Sequence, residues 1–413
     1  MPLGILLSFV LLTSCFAFWG LANNMTDTLL SAFKRIQSMS DFQTSLIQMA
    51  FYGAYFCFAL PAALFIRRFS YKSGVLLGLG LFIIGGLLFF PASQTMQYGH
   101  FLVALYVLAG GLSILETSAN PYVIAIGPAE TGTQRLNLAQ SFNPIGSIMG
   151  VVVSQVFILS ELRQLSPDER AALAPDALRA IQADELAAVM GPYVAVSVIL
   201  VVIWLLIALR RMPVVAEHTD GQPLHLAATF GRLLRNRRYL WGVVAQFFYV
   251  GAQIGVWSYT IRYVMQALDL DEAGAASYYI AALVLFTVSR FVCTWLMTYI
   301  PPARLLLLLA LLATALTGLA ILADGYTGVL ALTGISGCMS LMFPTIYGGA
   351  VRGLGADTKI GGAGLIMAIL GGAVLTALQG WVSDSTGSIH LSFLVPMACF
   401  VVVAVYARVA MRR

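Results

Sequence analysis

The sequence predicts an all-α membrane protein of twelve transmembrane helices in two six-helix halves. Three observations point there. Of the 413 residues, 60% are hydrophobic and 10% charged, more apolar surface than a soluble chain of this size can hide. Apolar runs of about 20 residues recur along the chain, the length that crosses a bilayer as helix, whereas a β-barrel would alternate in short segments. The cations gather in alternate loops, which is the pattern of an inserted protein and not of a nucleic-acid-binding face.

The predicted helices are 4–33, 42–66, 73–92, 99–126, 137–159, 189–210, 239–266, 274–298, 302–323, 326–350, 360–382 and 389–410. The first contains Leu12-Thr13-Ser14-Cys15, similar to a lipoprotein cleavage site. No cation precedes it and the apolar run continues past Cys15, so it is read as an uncleaved span. With both termini in the cytoplasm, the cytoplasmic loops hold sixteen cations, from Arg67, Arg68, Lys72 and Arg135 to Arg412 and Arg413. The opposite loops hold five: Lys34, Arg35, Arg163, Arg170 and Arg179. The outer loop Ser160–Ala188 is rich in Asp, Glu, Ala and Pro, with short surface helices expected at Asp168–Leu173 and Ala180–Met190. The loop Arg211–Arg238 divides an N-terminal bundle, 1–210, from a C-terminal bundle, 239–413. Its arginines are read as topology signals and contacts for anionic lipid.

The halves repeat a pattern. Asn120-Pro121-Tyr122 is followed by Ala129-Glu-Thr131, and Phe343-Pro344-Thr345 by Ala356-Asp-Thr358. A duplicated six-helix unit with its ligand near the midplane is the architecture this implies.

Polar residues inside the spans are the candidates for function. Glu116 lies in the fourth helix, with Asn120 one turn on and Pro121 loosening the helix beside it. Asn23, Asn24 and Asp27 cluster near one face of the first helix. Asp27 and Glu116 are the acids within the spans away from their ends, and an intramembrane acid marks function by default. Burial disfavours the charged form, so both are read as proton-coupling groups. In the fifth helix Asn137, Gln140 and Asn143 recur every three residues, and amides suit a polyhydroxyl ligand; Gly146 and Gly150 read as close-packing positions. The seventh carries Gln246, Tyr249, Gln253 and Trp257, an amide-and-aromatic stripe fit for a sugar. Arg290 in the eighth helix is assigned a structural or gating role, as are Pro121 and Pro344. The cysteines Cys15, Cys57, Cys293, Cys338 and Cys399 are read as small buried hydrophobes, and no metal site or cofactor is expected. No phosphate loop or catalytic triad is present, so neither an ATP-driven pump nor an enzyme is indicated.

Taken together, Trp19-Gly-Leu-Ala-Asn-Asn-Met-Thr-Asp27, Glu116-Thr-Ser-Ala-Asn-Pro-Tyr122 and Arg135-Leu-Asn-Leu-Ala-Gln-Ser-Phe-Asn143 resemble the fucose permease family of sugar–proton symporters, within the major facilitator superfamily. Ala245–Gln253, Trp257–Tyr263, Phe343–Tyr347 and Gly380–Asp384 extend the resemblance along nearly the whole chain. It implies two pseudo-symmetric bundles working by alternating access, with a proton as coupling ion at Asp27 and Glu116. It implies cavity positions at Asn24, Gln140 and Asn143. The family pattern has a Tyr where Phe343 stands, so this chain presents one hydroxyl fewer on that face. The superfamily's acidic signature after the second helix is also absent; the loop reads Ile66-Arg-Arg-Phe-Ser-Tyr-Lys-Ser-Gly74.

The reading that follows is uptake of a neutral monosaccharide, L-fucose or a related hexose, by a monomer in a bacterial inner membrane. The sugar and the bilayer are its partners, and nucleic acid is not. The alternatives are a facilitative sugar carrier, a sugar or drug antiporter driven by protons, and a sensor on a transporter scaffold.

Overall fold

The computed structural model describes residues 3–36, 41–154, 156–157, 169–170, 172–213 and 225–411. Its elements are α1 (Leu3–Ile36), α2 (Asp41–Arg68), α3 (Tyr71–Thr95), α4 (Tyr98–Ala125), α5 (Gly132–Gln140), α6 (Asn143–Ser154) and α7 (Pro175–Leu209). They continue as α8 (Leu226–Arg235), α9 (Arg237–Leu268), α10 (Glu272–Leu296), α11 (Pro302–Leu322), α12 (Gly325–Met339) and α13 (Met342–Val351). The last are α14 (Thr358–Met367), α15 (Gly371–Thr386), α16 (Ile389–Ser392) and α17 (Leu394–Met411). No strand occurs among the described residues.

Eleven helical stretches among the described residues are long and apolar enough to cross a membrane. The predicted fifth span is there as two shorter helices, α5 and α6, and so falls outside that count. Its break has a sequence cause. Pro144 has no N–H to give the carbonyl four residues back, and its ring crowds that carbonyl. Pro344 breaks the span of α12 and α13 in the same way, one turn after Ser340. The predicted outer helix Ala180–Met190 is not separate but the first part of α7, which Pro175 opens at its first turn. Of the predicted helix Asp168–Leu173, Glu169 and Arg170 are helical, Ala172 and Leu173 are not, and the other two positions lie outside the described residues. A ten-residue helix, α8, stands inside the stretch predicted as a linker.

Helix ends follow local chemistry. Ser70 caps α3 through the Ser73 N–H at 3.0 Å, and Asn236 caps α9 through the Tyr239 N–H at 3.1 Å. Large apolar side chains stay exposed along the spans, as with Val198, Val202, Leu205 and Leu209 on α7 and Leu308, Leu311, Leu312 and Leu319 on α11. In water such stripes would drive aggregation; facing acyl chains they cost nothing.

The chain forms two compact units, Met1–Ala119 with Phe142–Val214, and Asn120–Ser141 with Val215–Arg413. In the first, α1 packs on α6 and α3 on α7. Gly20, Gly146 and Gly150 let α1 and α6 meet backbone to backbone; a Cβ on Gly146 would overlap the Ala17 carbonyl. In the second, α9 is the central post, touching α10, α12, α13, α15 and α17, and α5 lies on α13 and α10.

Candidate functional site

Each unit holds one polar constellation inside its spans. In the first, Glu116 of α4 is 2% exposed. With Leu112, Leu115 and Ala119 it faces Cys15, Phe16 and Trp19 of α1 across a cavity of about 10 Å³, about the room one water needs. Tyr55 of α2 is buried within electrostatic reach of the carboxylate. An ionised carboxylate is expensive in such surroundings. Asn143 donates from Nδ2 to the Phe16 carbonyl at 3.3 Å, and Ser147 from its hydroxyl to the Gly20 carbonyl at 3.3 Å. Both tie α6 to α1. Asn24 is half-buried on α1 beside Gly150. Asn23 and Asp27 also belong to α1, and their side chains lie outside the described residues.

In the second unit the centre is Arg290 of α10, 3% exposed. Its Nη1 donates to the Gln140 carbonyl at 2.9 Å, and its Nε donates to the Ser340 carbonyl. These are the two carbonyls that Pro144 and Pro344 leave without a helical donor. The guanidinium also stacks over Phe286, 4.5 Å from the ring centroid. Among the described residues Arg290 forms no ion pair; two backbone acceptors and a ring offset its burial where an acid would usually do so. The chain of bonds continues, because Gln140 Nε2 donates to Asn120 Oδ1 at 2.9 Å. Asn137 Nδ2 donates to the Thr345 hydroxyl at 3.2 Å, joining α5 to α13. Tyr249 donates to the Met339 carbonyl at 3.0 Å and its ring stands 6.5 Å from that of Phe343.

The predicted residues therefore fall into two groups. Glu116, Asn143 and Asn24 stand in the first unit; Asn120, Gln140, Arg290, Tyr249 and Phe343 stand in the second, with Gln253 half-buried on α9. Pro121 is buried inside α4 and Pro344 inside α13. Sequence reading placed Arg135 among loop charges. It is instead 5% exposed and donates to the carbonyls of Val123, Ile124 and Pro128, closing the end of α4. Gln246 heads the amide-and-aromatic stripe of the seventh predicted helix. That side chain is fully buried, and among the described residues neither amide atom has a hydrogen-bond partner.

A model of the Major Facilitator Superfamily matches residues 7–359. The chain belongs to that superfamily. Within it the chain stands with the fucose permease family. An L-fucose-proton symporter of Escherichia coli is 40% identical over 98% of this chain and 93% of its own length. A glucose/galactose transporter of Brucella abortus is 34% identical over 96% of this chain and 92% of its own. The crystal structure of the transporter FucP in the outward conformation matches with a TM-score of 0.91 at 39% identity, covering 99% of this chain and 100% of that one. The major facilitator fold predicted from the sequence is thus the fold of this chain. These relatives are transporters and not enzymes, and the broken helices with an arginine between them suit a chain that must move while buried.

Proposed function

We propose that this member of the major facilitator superfamily is a proton-coupled symporter of a neutral monosaccharide, L-fucose or a related hexose, working by alternating access. One observation carries the reading: a carboxyl group, Glu116, buried at 2% exposure in a membrane span beside a cavity of one-water size. The similarity to L-fucose-proton symporters supports it.

Opened to the proton-rich side, Glu116 takes up a proton. The neutral acid costs less to enclose, so the loaded carrier closes and turns. On the other side the acid meets water, releases its proton and resets. Asp27 serves the same purpose in this reading. The amides Asn23, Asn24 and Asn143 of the first unit and Asn120, Gln140 and Gln253 of the second offer both donors and acceptors for sugar hydroxyls. Tyr249 and Phe343 offer ring faces for sugar C–H groups. We place the protein in a bacterial inner membrane from the family it belongs to, with both termini in the cytoplasm from its cation distribution, as a monomer with the proton as its coupling ion.

The test is uptake of labelled L-fucose, D-galactose and D-glucose into proteoliposomes under an inward proton gradient, with and without a protonophore. Accumulation of one sugar that collapses with protonophore is the expected result. Equilibration without accumulation would make the protein a facilitator and end the proton-coupling role of Glu116.

A further inference from the structure

At one end of the second unit, five elements close around a cavity of about 650 Å³. Arg238 enters from the first turn of α9, Arg304 from the first turn of α11, and Arg352 from the end of α13. Thr133 and Thr345 add hydroxyls, and Pro301, Pro302 and Met411 add apolar wall. Glu130 is the one carboxylate of the lining. Among the described residues, none of the three arginines is in an ion pair. The Nε of Arg238 is buried and, among the described residues, has no hydrogen-bond partner.

Topology alone explains why these loops are basic. It does not explain why three guanidinium groups from three elements face one cavity, or why one of their N–H donors is buried and unspent. A buried donor on a cation is satisfied by an anion with several acceptor oxygens. Guanidinium forks match the oxygens of a phosphate, and the cavity has the volume of a small-ligand pocket. We propose that this basin binds a phosphate monoester or diester, supplied either as an anionic lipid headgroup or as a soluble phosphate compound.

The test uses the full chain in a neutral maltoside detergent, stripped of lipid. Inorganic phosphate and dioctanoyl phosphatidylglycerol are titrated separately by calorimetry, with dioctanoyl phosphatidylcholine as the zwitterionic control. Wild-type protein is expected to bind at least one of the first two, more weakly at high salt. The double variant R304Q/R352Q, altered at two exposed positions, is expected to lose about tenfold or more in affinity, while its thermal unfolding without ligand stays at the wild-type value. Binding of phosphatidylglycerol but not of phosphate identifies a lipid site; binding of both identifies a soluble phosphate site. Binding of neither to the wild type, or equal binding to the double variant, overturns the proposal.

Discussion

Arg290 donates from Nη1 to the backbone carbonyl of Gln140 at 2.9 Å, and that is the carbonyl which Pro144 deprives of its helical donor. The same side chain donates from Nε to Ser340, the carbonyl deprived by Pro344. One buried cation thus mends two proline breaks in two different spans. Removing it leaves two buried carbonyls, at about 1–3 kcal/mol each. R290M is therefore expected to lower the unfolding temperature in detergent and abolish uptake. R290K keeps the charge but lacks the fork that reaches both carbonyls, so it is expected to recover only part of the loss. The decisive variant is P144A in the R290M background. It returns an N–H to position 144, which can serve Gln140, and so raises stability above R290M alone. An additive result, with P144A equally effective in either background, would show that Arg290 does not act through the orphaned carbonyl.

Glu116 is assigned a proton-carrying role, and its test separates coupling from binding. E116Q keeps the shape and a hydrogen-bonding head but cannot release a proton. Sugar accumulation against a gradient is expected to vanish, while exchange of labelled for unlabelled sugar across the membrane continues. The pH dependence follows in sign. The loaded form needs the neutral acid, so wild-type uptake rises as the outer solution is acidified and falls as it is made alkaline; in E116Q this slope flattens. A full slope in E116Q would move the coupling proton elsewhere, with Asp27 the next group to test by D27N.

The sequence displayed the spans and the polar residues within them because both signals are local. Apolar length marks a span, and a lone carboxyl such as Glu116 stands out against it. The splitting of the fifth span was also written locally, in Pro144, yet periodicity carried the predicted helix straight through 137–159. What pattern alone did not give was the partner of each polar group. Arg290 carries a structural or gating role in the sequence with no partner to name, and in the structure it serves two carbonyls, one of them 150 residues away. Arg135 looked like one more loop cation and turned out to be the lock on the end of α4. Such pairings depend on which helices meet, and a single sequence does not print that.

The glycine seam between α1 and α6 makes a prediction with its own control. A methyl group on Gly146 would overlap the Ala17 carbonyl, so G146A must push the helices apart. Overpacking of this kind costs about 1–3 kcal/mol. At Gly53 on α2 an added Cβ meets nothing within 4 Å, and G53A is expected to leave stability unchanged or slightly raised, since Ala is the better helix former. Thermal unfolding of both variants in detergent checks the pair. Equal effects of the two substitutions would show that the α1–α6 approach is looser than the structure has it.

The outer stretch around residue 170 read as a short surface helix in a loop rich in Asp, Glu, Ala and Pro, but it holds a buried, two-pronged ion pair. Arg170 donates from Nη1 to Glu185 Oε2 at 2.9 Å and from Nη2 to Oε1 at 2.7 Å, with the two side chains 3% and 1% exposed. The pair Arg232–Asp357 is a useful contrast, because at the same 2.7 Å separation its arginine side chain is 59% exposed while that of Asp357 is 11% exposed. Removing Asp357 leaves a cation that water covers, so the loss there is small. Removing one partner of a buried pair instead strands a charge, at about 3–5 kcal/mol. E185L is therefore expected to destabilise the protein far more than D357L does. Because the penalty comes from parting a buried cation from its carboxylate, R170M/E185L is expected to recover most of the loss, apolar groups replacing both charges together. Unfolding of the three variants in detergent decides it: a double variant as unstable as E185L would mean that the pair is held for its own attraction and not merely for mutual neutralisation.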